Sequence, residues 1–472
     1  MPDLSNAPWW RDECGVVAVA GHTEAAKITS LCLHALQHRG QESCGLVSAT
    51  DEGRFHSHRK MGLVGDVFKP HVVEKLYGTR AIGHVRYGTA GGSEIKNAQP
   101  FVVETGAGPL AVAHNGNLTN AVILRRQLEA TGSIFQSSSD TEVVIHLVAR
   151  SGGSTMVEKI SDALRQIEGA FSLVLMTAEG IYAARDPHGF RPLVLGQMDG
   201  VKVVASETCA LDIVGASYIR EIEPGELLVI RADAQESIKP FAGSHPRTAC
   251  VFEQIYFARP DSTVFGQNVY RLRQNFGRQL ARESAVEADL VSPVPDSGVP
   301  AAMGYAAESG LPYELGLVRN HYVGRTFIQP AQEIRNLGVR MKLNPVRSVL
   351  AGKRVVVIDD SIVRGTTSQK IIQTIRDAGA REIHVRISSP PITDPCYYGI
   401  DTPDKSKLVA ANYSVDEIRR YIGADTLAYL SEEGMLSVVG SGGHCTACFN
   451  GRYPLPNSDL AVQRNQMRLF EL

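Results

Sequence analysis

The chain has 472 residues, 43% hydrophobic and 21% charged, with 48 basic against 50 acidic side chains. This is the make-up of a soluble globular chain with room for two or three domains, and a net charge of −2 excludes any strong draw towards nucleic acid or an anionic membrane. No apolar run approaches the ~20 residues that span a bilayer, so a cytoplasmic location is expected.

Residues 1–13, MPDLSNAPWWRDE, have neither the basic start nor the apolar stretch of a secretory signal, and they hold both tryptophans. They read either as an exposed tail with one hydrophobic anchor or as a segment that is removed, which would make Cys14 the mature N-terminus. Short strands follow, in GVVAVAGH, RAIGHVRY, LAVAHNGNL, FSLVLMTAEGIYAAR, KVVASE and ELLVIRAD. Helices are expected between them at Ile28 to His38, around Asp140 to Arg150 and at Met156 to Ile167, which suggests sheets with helices on their outer faces. His, Pro, Gly and Ser cluster in FAGSHPRTAC, residues 241–250, and mark a boundary that divides a first domain, 14–245, from a second, 246–430. In the second domain strands and helices alternate strictly, through ADLVSPVPDSG, PAAMGYAAESG, RVVVIDDSIVRG, TTSQKIIQTIRDAG and REIHVRISS, as in a doubly wound parallel sheet. A tail, 431–472, follows.

The sharpest local signal is RVVVIDDSIVRGTTS, residues 354–368: an apolar strand ends in Asp359 and Asp360, and the turn Arg364, Gly365, Thr366, Thr367, Ser368 opens a helix. Backbone N–H groups, three hydroxyls and a helix N-terminus form an anion cradle at the carboxyl end of a parallel strand, where open sheets bind ligands. The two acids repel a phosphate and suit sugar hydroxyls or a divalent cation that bridges to a pyrophosphate. One helix cap would explain Thr366 or Ser368 alone, but not the whole run. The run resembles the phosphoribosyl-pyrophosphate (PRPP) motif of type I phosphoribosyltransferases. There is no Walker lysine loop and no GxGxxG in a βαβ setting. PDSGVP, 295–300, forms a second strand-to-helix turn with Ser297 near the helix start, and the basic stretch NHYVGRTFIQPAQEIRNLGVRMKLNP lies between the two turns as a candidate lid, with Arg335, Arg340 and Lys342 as candidate contacts.

Three polar clusters interrupt the apolar strands of the first domain: GHVRYGTAG (83–91), AHNGNL (113–118) and SSSDTE (137–142). Taken singly, an Asn-Gly pair is a hairpin turn and an arginine in a strand is an ion-pair partner. Together behind CGVV they resemble the glutamine amidotransferases whose nucleophile is an N-terminal cysteine. The resemblance implies that Cys14 attacks the glutamine amide, with its own α-amino group, pKa ~7.7–8.0, as the base. Asn115 and the Gly116 N–H would stabilise the oxyanion, at roughly 3 kcal/mol per donor. Arg86 would hold the substrate α-carboxylate and Asp140 its α-ammonium. Cys32, Cys44 and Cys209 read as small buried hydrophobes.

The two halves together, with RDPHGFRPLVLG, SETCALD and CVFEQIYFARPDS, resemble the glutamine phosphoribosylpyrophosphate amidotransferase family from Cys14 to about Tyr453. The resemblance implies an N-terminal nucleophile (Ntn) hydrolase αββα sandwich followed by a phosphoribosyltransferase sheet. It also implies synthesis of phosphoribosylamine from glutamine and PRPP at the start of purine synthesis, Mg2+ on Ser297, Asp359 and Asp360, and a homotetramer inhibited by purine nucleotides. A glucosamine-phosphate-forming or glutamate-forming amidotransferase would need a sugar-isomerase or flavin domain, and a PRPP-sensing regulator would need a DNA-binding segment. Four cysteines remain: Cys250, Cys396, and Cys445 and Cys448 in HCTACFNGRYP. The C-x-x-C pair by itself is ambiguous between zinc, a redox dithiol and an iron-sulfur cluster. One branch of the family carries four cysteines at matching positions and a processed leader, so the resemblance implies a [4Fe-4S] cluster on these residues and removal of residues 1–13.

Overall fold

A computed structural model describes residues 12–88, 94–231, 234–320, 343–440 and 442–459. The first half holds thirteen strands: β1 (Asp12–Ala20), β2 (Ser43–Ala49), β3 (Phe55–Met61), β4 (Arg80–Gly88), β5 (Phe101–Thr105), β6 (Gly108–Leu118), β7 (Gly169–Thr177), β8 (Ile181–Arg185), β9 (Val194–Met198), β10 (Val201–Ala205), β11 (Ser217–Glu221), β12 (Leu227–Ile230) and β13 (Gln235–Ile238). They form two antiparallel sheets, in the orders β11-β9-β10-β1-β4-β2-β3 and β13-β12-β8-β7-β6-β5.

Strand alternation explains the layering. Along β1, Val17 and Val19 face outward onto α1 (Ala25–Ala35), where they pack with Leu33 and with Leu36 just past its end. Val16 and Ala18 face inward and meet Ala111 and Ala113 of β6 from the second sheet. On the far side of that sheet, Leu110 and Val112 pack against α2 (Ala121–Ala130), α3 (Thr141–Arg150) and α4 (Met156–Leu164). The result is the four-layer αββα sandwich. Edge strands such as β3, FHSHRKM, escape the sequence pattern because polar residues fill both faces of a strand that is only partly buried.

In the second half four parallel strands, β14 (Leu290–Pro293), β15 (Arg354–Asp359), β16 (Glu382–Ile387) and β17 (Thr426–Tyr429), stand in chain order in one sheet. Val356 and Ile358 bury into a cluster with Phe276 and Tyr305 of α5 (Val269–Glu283) and α6 (Val299–Ser309). Val355 and Val357 bury on the other face, against Ile371 and Ile375 of α7 (Thr366–Asp377). Both faces are covered, which is why these strands read as continuous apolar runs. No helix among the described residues is long and apolar enough to cross a membrane.

The C-terminal part returns to both halves. Ala249–Cys250 pairs in parallel with His444–Cys445, while the Cys250 N–H donates to the Phe190 carbonyl of the first half. Asp459 accepts from the Val122 and Ile123 N–H groups at the start of α2.

Candidate active sites and a four-cysteine pocket

Cys14 lies opposite Arg86 in the β1–β4 register. By strand parity both side chains point between the sheets, just beyond the apolar inner cluster. Asn115 occupies the same inner face of β6, one residue past His114, whose carbonyl accepts from His84 Nε2 across the sandwich at 3.0 Å. Burial pushes the His84 imidazole down to about 3, so it stays neutral and serves as that donor. This hydrogen bond ties β4 to β6 beside Arg86 and Asn115. Asn115 is 0% exposed, and neither its amide nitrogen nor its amide oxygen has a hydrogen-bond partner among the described residues. A buried amide left in that state costs about 1–3 kcal/mol, so the position suits a donor that waits for a substrate oxygen.

Gly116 allows no side chain, because a β-carbon there would stand 2.0 Å from the Ala170 carbonyl oxygen. Asp140 precedes α3, and its carboxylate accepts from the Leu118 N–H at 2.9 Å and the Thr141 hydroxyl at 3.2 Å. Burial would raise this carboxyl, but His114 at 3.6 Å and these hydrogen bonds outweigh burial and hold it below the ordinary range. Arg86 reaches Glu42 at 3.1 Å.

Residues that the sequence reading did not single out hold Cys14 in place. Arg39 Nε donates to the Cys14 carbonyl at 2.9 Å, and its two terminal nitrogens pair with Glu207 and Glu253, all three side chains being wholly buried. Glu253 also meets Arg191 at 3.2 Å, and Glu207 meets His38 at 2.7 Å. Burial would raise Glu207, yet His38 and Arg39 hold it well below the carboxylate range. The signal available was charge in apolar context: Glu207 sits in VVASETCAL and Glu253 in CVFEQIYF. Cys32, Cys44 and Cys209 are buried in the outer cluster of the first sheet, and burial pushes Cys32 and Cys44 up to about 12.

At the second site Asp359 ends β15, and the Asp360 N–H donates to its carboxylate at 3.0 Å. Desolvation and the like charge of Asp360 push the Asp359 carboxyl well above its ordinary range. Neither acid takes part in an ion pair among the described residues; Asp360 is met by the Ser361 hydroxyl at 2.6 Å. Gly365 caps α7 and Thr366 opens it, with Arg364, Thr366 and Thr367 exposed beside the acids. The turn that carries Ser297 packs against the same strand end: the Val294 N–H donates to the Ile358 carbonyl, and a β-carbon on Gly298 would stand 2.4 Å from that oxygen. Lys342, Arg335, Arg340 and residues 89–91 of the GHVRYGTAG cluster lie outside the described residues.

Cys250, Cys396, Cys445 and Cys448 line one pocket together with side chains that include Phe190, Phe252 and Tyr398. They come from three places in the chain. Cys250 stands in register with Cys445, and the Cys448 carbonyl accepts from the Thr393 and Asp394 N–H groups, just before Cys396. Burial, with the neighbouring thiols, drives Cys448 far above its ordinary value and Cys250 up to about 12. Among the described residues no three His, Cys, Asp or Glu side chains stand close enough to hold a single metal ion.

Residues 89–212 match the model of a glutamine amidotransferase domain. The chain is 54% identical to the amidophosphoribosyltransferase of Bacillus subtilis (strain 168), with 94% of each chain covered. It is 52% identical to amidophosphoribosyltransferase 1, chloroplastic, of Arabidopsis thaliana, over 96% of this chain and 81% of the relative. The solved structure of the glutamine phosphoribosylpyrophosphate amidotransferase from B. subtilis, complexed with ADP and GMP, superposes with a TM-score of 0.90 at 52% identity, covering 94% of this chain and 98% of that one. With an Ntn-type sandwich, a phosphoribosyltransferase sheet and this identity along nearly its whole length, the chain belongs to the amidophosphoribosyltransferase family.

Proposed function

We propose that this chain makes phosphoribosylamine from glutamine and PRPP at two sites, with ammonia passing between them inside the protein. The observation that carries the first site is the buried amide of Asn115, without a hydrogen-bond partner among the described residues, on the inner face opposite the sheet of Cys14. There the Cys14 thiolate attacks the glutamine amide carbon, and the oxyanion that forms is held by the Asn115 amide and the Gly116 N–H. Nitrogen leaves as ammonia when the Cys14 α-amino group, protonated by the thiol, returns the proton; water then hydrolyses the thioester to glutamate. This requires removal of residues 1–13, since only a terminal cysteine has a free α-amino group. Arg86 and Asp140 hold the two ends of glutamine, and Arg39 fixes the backbone of the nucleophile.

At the second site the N–H groups and hydroxyls of Gly365 to Ser368 hold the 5-phosphate, with Arg364 beside them and Lys342 as a further candidate contact. Ammonia attacks the anomeric carbon, and pyrophosphate leaves. Two adjacent carboxyls with no ion-pair partner among the described residues suit a divalent ion, and Asp359, Asp360 and Ser297 would hold Mg2+, which when bound offsets charge on the leaving pyrophosphate. Ammonia in neutral bulk water is mostly protonated and would be no nucleophile, hence the internal path. We place the division between the halves at 245/246.

Four thiols that converge from three places in the chain suit a cluster that staples the C-terminal part to the core. Cys250, Cys396, Cys445 and Cys448 would hold a [4Fe-4S] cluster, whose role is structural because the reaction has no redox step. A cytoplasmic homotetramer inhibited by purine nucleotides completes the reading; the ADP and GMP complex of the B. subtilis relative supports its nucleotide part alone.

The test is PRPP consumption by anaerobically purified protein with glutamine and then with an ammonium salt as sole nitrogen source, alongside intact mass and iron content. Turnover with both, a mass beginning at Cys14 and about four irons per chain are expected. A colourless, fully active protein with one zinc and no iron would overturn the cluster, and active protein that retains residues 1–13 would overturn the processing.

A further inference from the structure

Gly116 is held from two sides. On one side the Ala170 carbonyl of the neighbouring strand leaves no room for a β-carbon, and on the other stands Gly399 of the second half. A β-carbon on Gly399 would come within 3.0 Å of both the α-carbon and the carbonyl carbon of Gly116, and its φ of +93° is itself one that side chains disfavour. The neighbours of Gly399 grip the same strand. The Tyr397 carbonyl accepts from Asn117 Nδ2 at 2.9 Å, and Tyr398 stacks on Phe190 with ring centroids 4.4 Å apart. The Gly399 carbonyl accepts from Arg191 Nη2 at 3.0 Å. Arg191 meets Glu253, which pairs with Arg39, the residue that holds the Cys14 carbonyl. The segment is anchored at its start by the Cys396 N–H, which donates to the Thr402 hydroxyl, and by the Cys396 side chain in the four-cysteine pocket.

We propose that Tyr397 and Gly399 are positioning residues for glutamine hydrolysis: this segment of the second half sets the place of Gly116 and Asn117 and so forms the oxyanion hole. The inference rests on the reading of Asn115 and Gly116 as the oxyanion donors. A strand end that carries two donors has to be fixed to a fraction of an ångström before either lowers a barrier. The two sheets of the sandwich fix only one side of it; the other side comes from outside the glutaminase half.

The test uses the full chain with Gly399→Ala, Asn117→Ala and, as reference, Asn115→Ala. Measured are glutamine-dependent and ammonium-dependent synthesis, and inhibition by a glutamine-shaped aldehyde and by glutamate. The aldehyde adds the Cys14 thiol and places a tetrahedral oxygen in the hole, whereas glutamate stays planar and forms no bond to the thiol. We expect Gly399→Ala and Asn117→Ala to lower glutamine-dependent kcat by about tenfold or more, with KM for glutamine within about twofold. The aldehyde should weaken in the same proportion, while glutamate binding and ammonium-dependent turnover stay within about twofold. Asn117→Ala removes one hydrogen bond without crowding and decides the matter if Gly399→Ala does not fold. Parent-like aldehyde binding and glutamine turnover in the variants, with Asn115→Ala inactive, would overturn the positioning role. Equal loss of both activities would overturn it too, as a general packing defect. Parent-like turnover in Asn115→Ala would overturn the oxyanion reading beneath it.

Discussion

The two sites are built in opposite ways. The phosphate end occupies one contiguous run, Asp359 to Ser368, at the end of one strand and the start of one helix, and several of its side chains are exposed. The glutaminase end collects Cys14, Arg86 and Asn115 from three strands in two sheets, and its supports include four wholly buried charged side chains, Arg39, Glu207, Glu253 and Arg191. A site that binds a large polyanion can rely on fixed backbone dipoles and on ions from solution. A site that stabilises a transient oxyanion beside a thiolate needs every group in place beforehand, and buried, cross-linked supports provide that.

The largest expected effect separates the sites. Cys14→Ser should reduce glutamine-dependent synthesis by about a thousandfold or more and leave ammonium-dependent synthesis within about twofold, because the thiol serves only the first site. Steady-state rates with each nitrogen source check this. Asp360→Asn should instead lower both rates, by about a hundredfold, since either nitrogen source needs bound PRPP. Normal ammonium-dependent turnover in that variant would mean that the ribose and cation site lies elsewhere.

The next effect concerns stability. Arg39→Met removes the cation that Glu207 and Glu253 share, and breaking such a buried set costs about 3–5 kcal/mol, or roughly 5–15 °C in melting temperature. The sign with pH is defined. In the parent, Glu207 is held below its ordinary value, so its contribution is present above the unfolded pKa of ~4.3 and is lost only as pH falls through the lower folded value. In the variant one of the two causes that hold Glu207 down is gone, so its folded pKa moves upward and the carboxylate's contribution is lost at a higher pH than in the parent. Thermal melts at decreasing pH should show the variant losing stability at a higher pH than the parent.

The contrast between the sites also explains what could be read from the sequence. The phosphate run was legible as chemistry because its parts are adjacent, and the strand-helix alternation around it follows from a sheet buried on both faces. Cys14, Arg86 and Asn115 were legible only as members of a resemblance, since no spacing rule brings residues 14, 86 and 115 to one face; register and sheet stacking do. The Arg39, Glu207 and Glu253 set was missed. Its members are 168 and 214 residues from Arg39 along the chain, and a charged residue in an apolar stretch shows that it needs a partner but not which one. The contact of Gly399 with Gly116 left no trace either, because a glycine chosen for close approach looks like any turn glycine.

The smallest effect tests whether the turn before α7 is a ligand site or merely a capped helix. If Thr366 were a cap, Thr366→Ala would destabilise the chain by about 1 kcal/mol and change PRPP binding little. The structure shows otherwise: the residue before α7 is Gly365, no side chain caps the helix, and Thr366 is its exposed first residue. Asn268 gives the comparison, because its side chain does accept from the Arg271 N–H at the start of α5. Asn268→Ala should therefore lose about 1 kcal/mol of stability with PRPP kinetics unchanged. Thr366→Ala should keep its melting temperature within about 1 °C and raise KM for PRPP by roughly tenfold, the worth of one exposed hydroxyl donating to a charged phosphate oxygen. Thermal melts and PRPP titrations with ammonium as the nitrogen source separate the two variants. If both lose stability and neither changes KM, the hydroxyl serves the helix and the phosphate is held by backbone N–H groups alone.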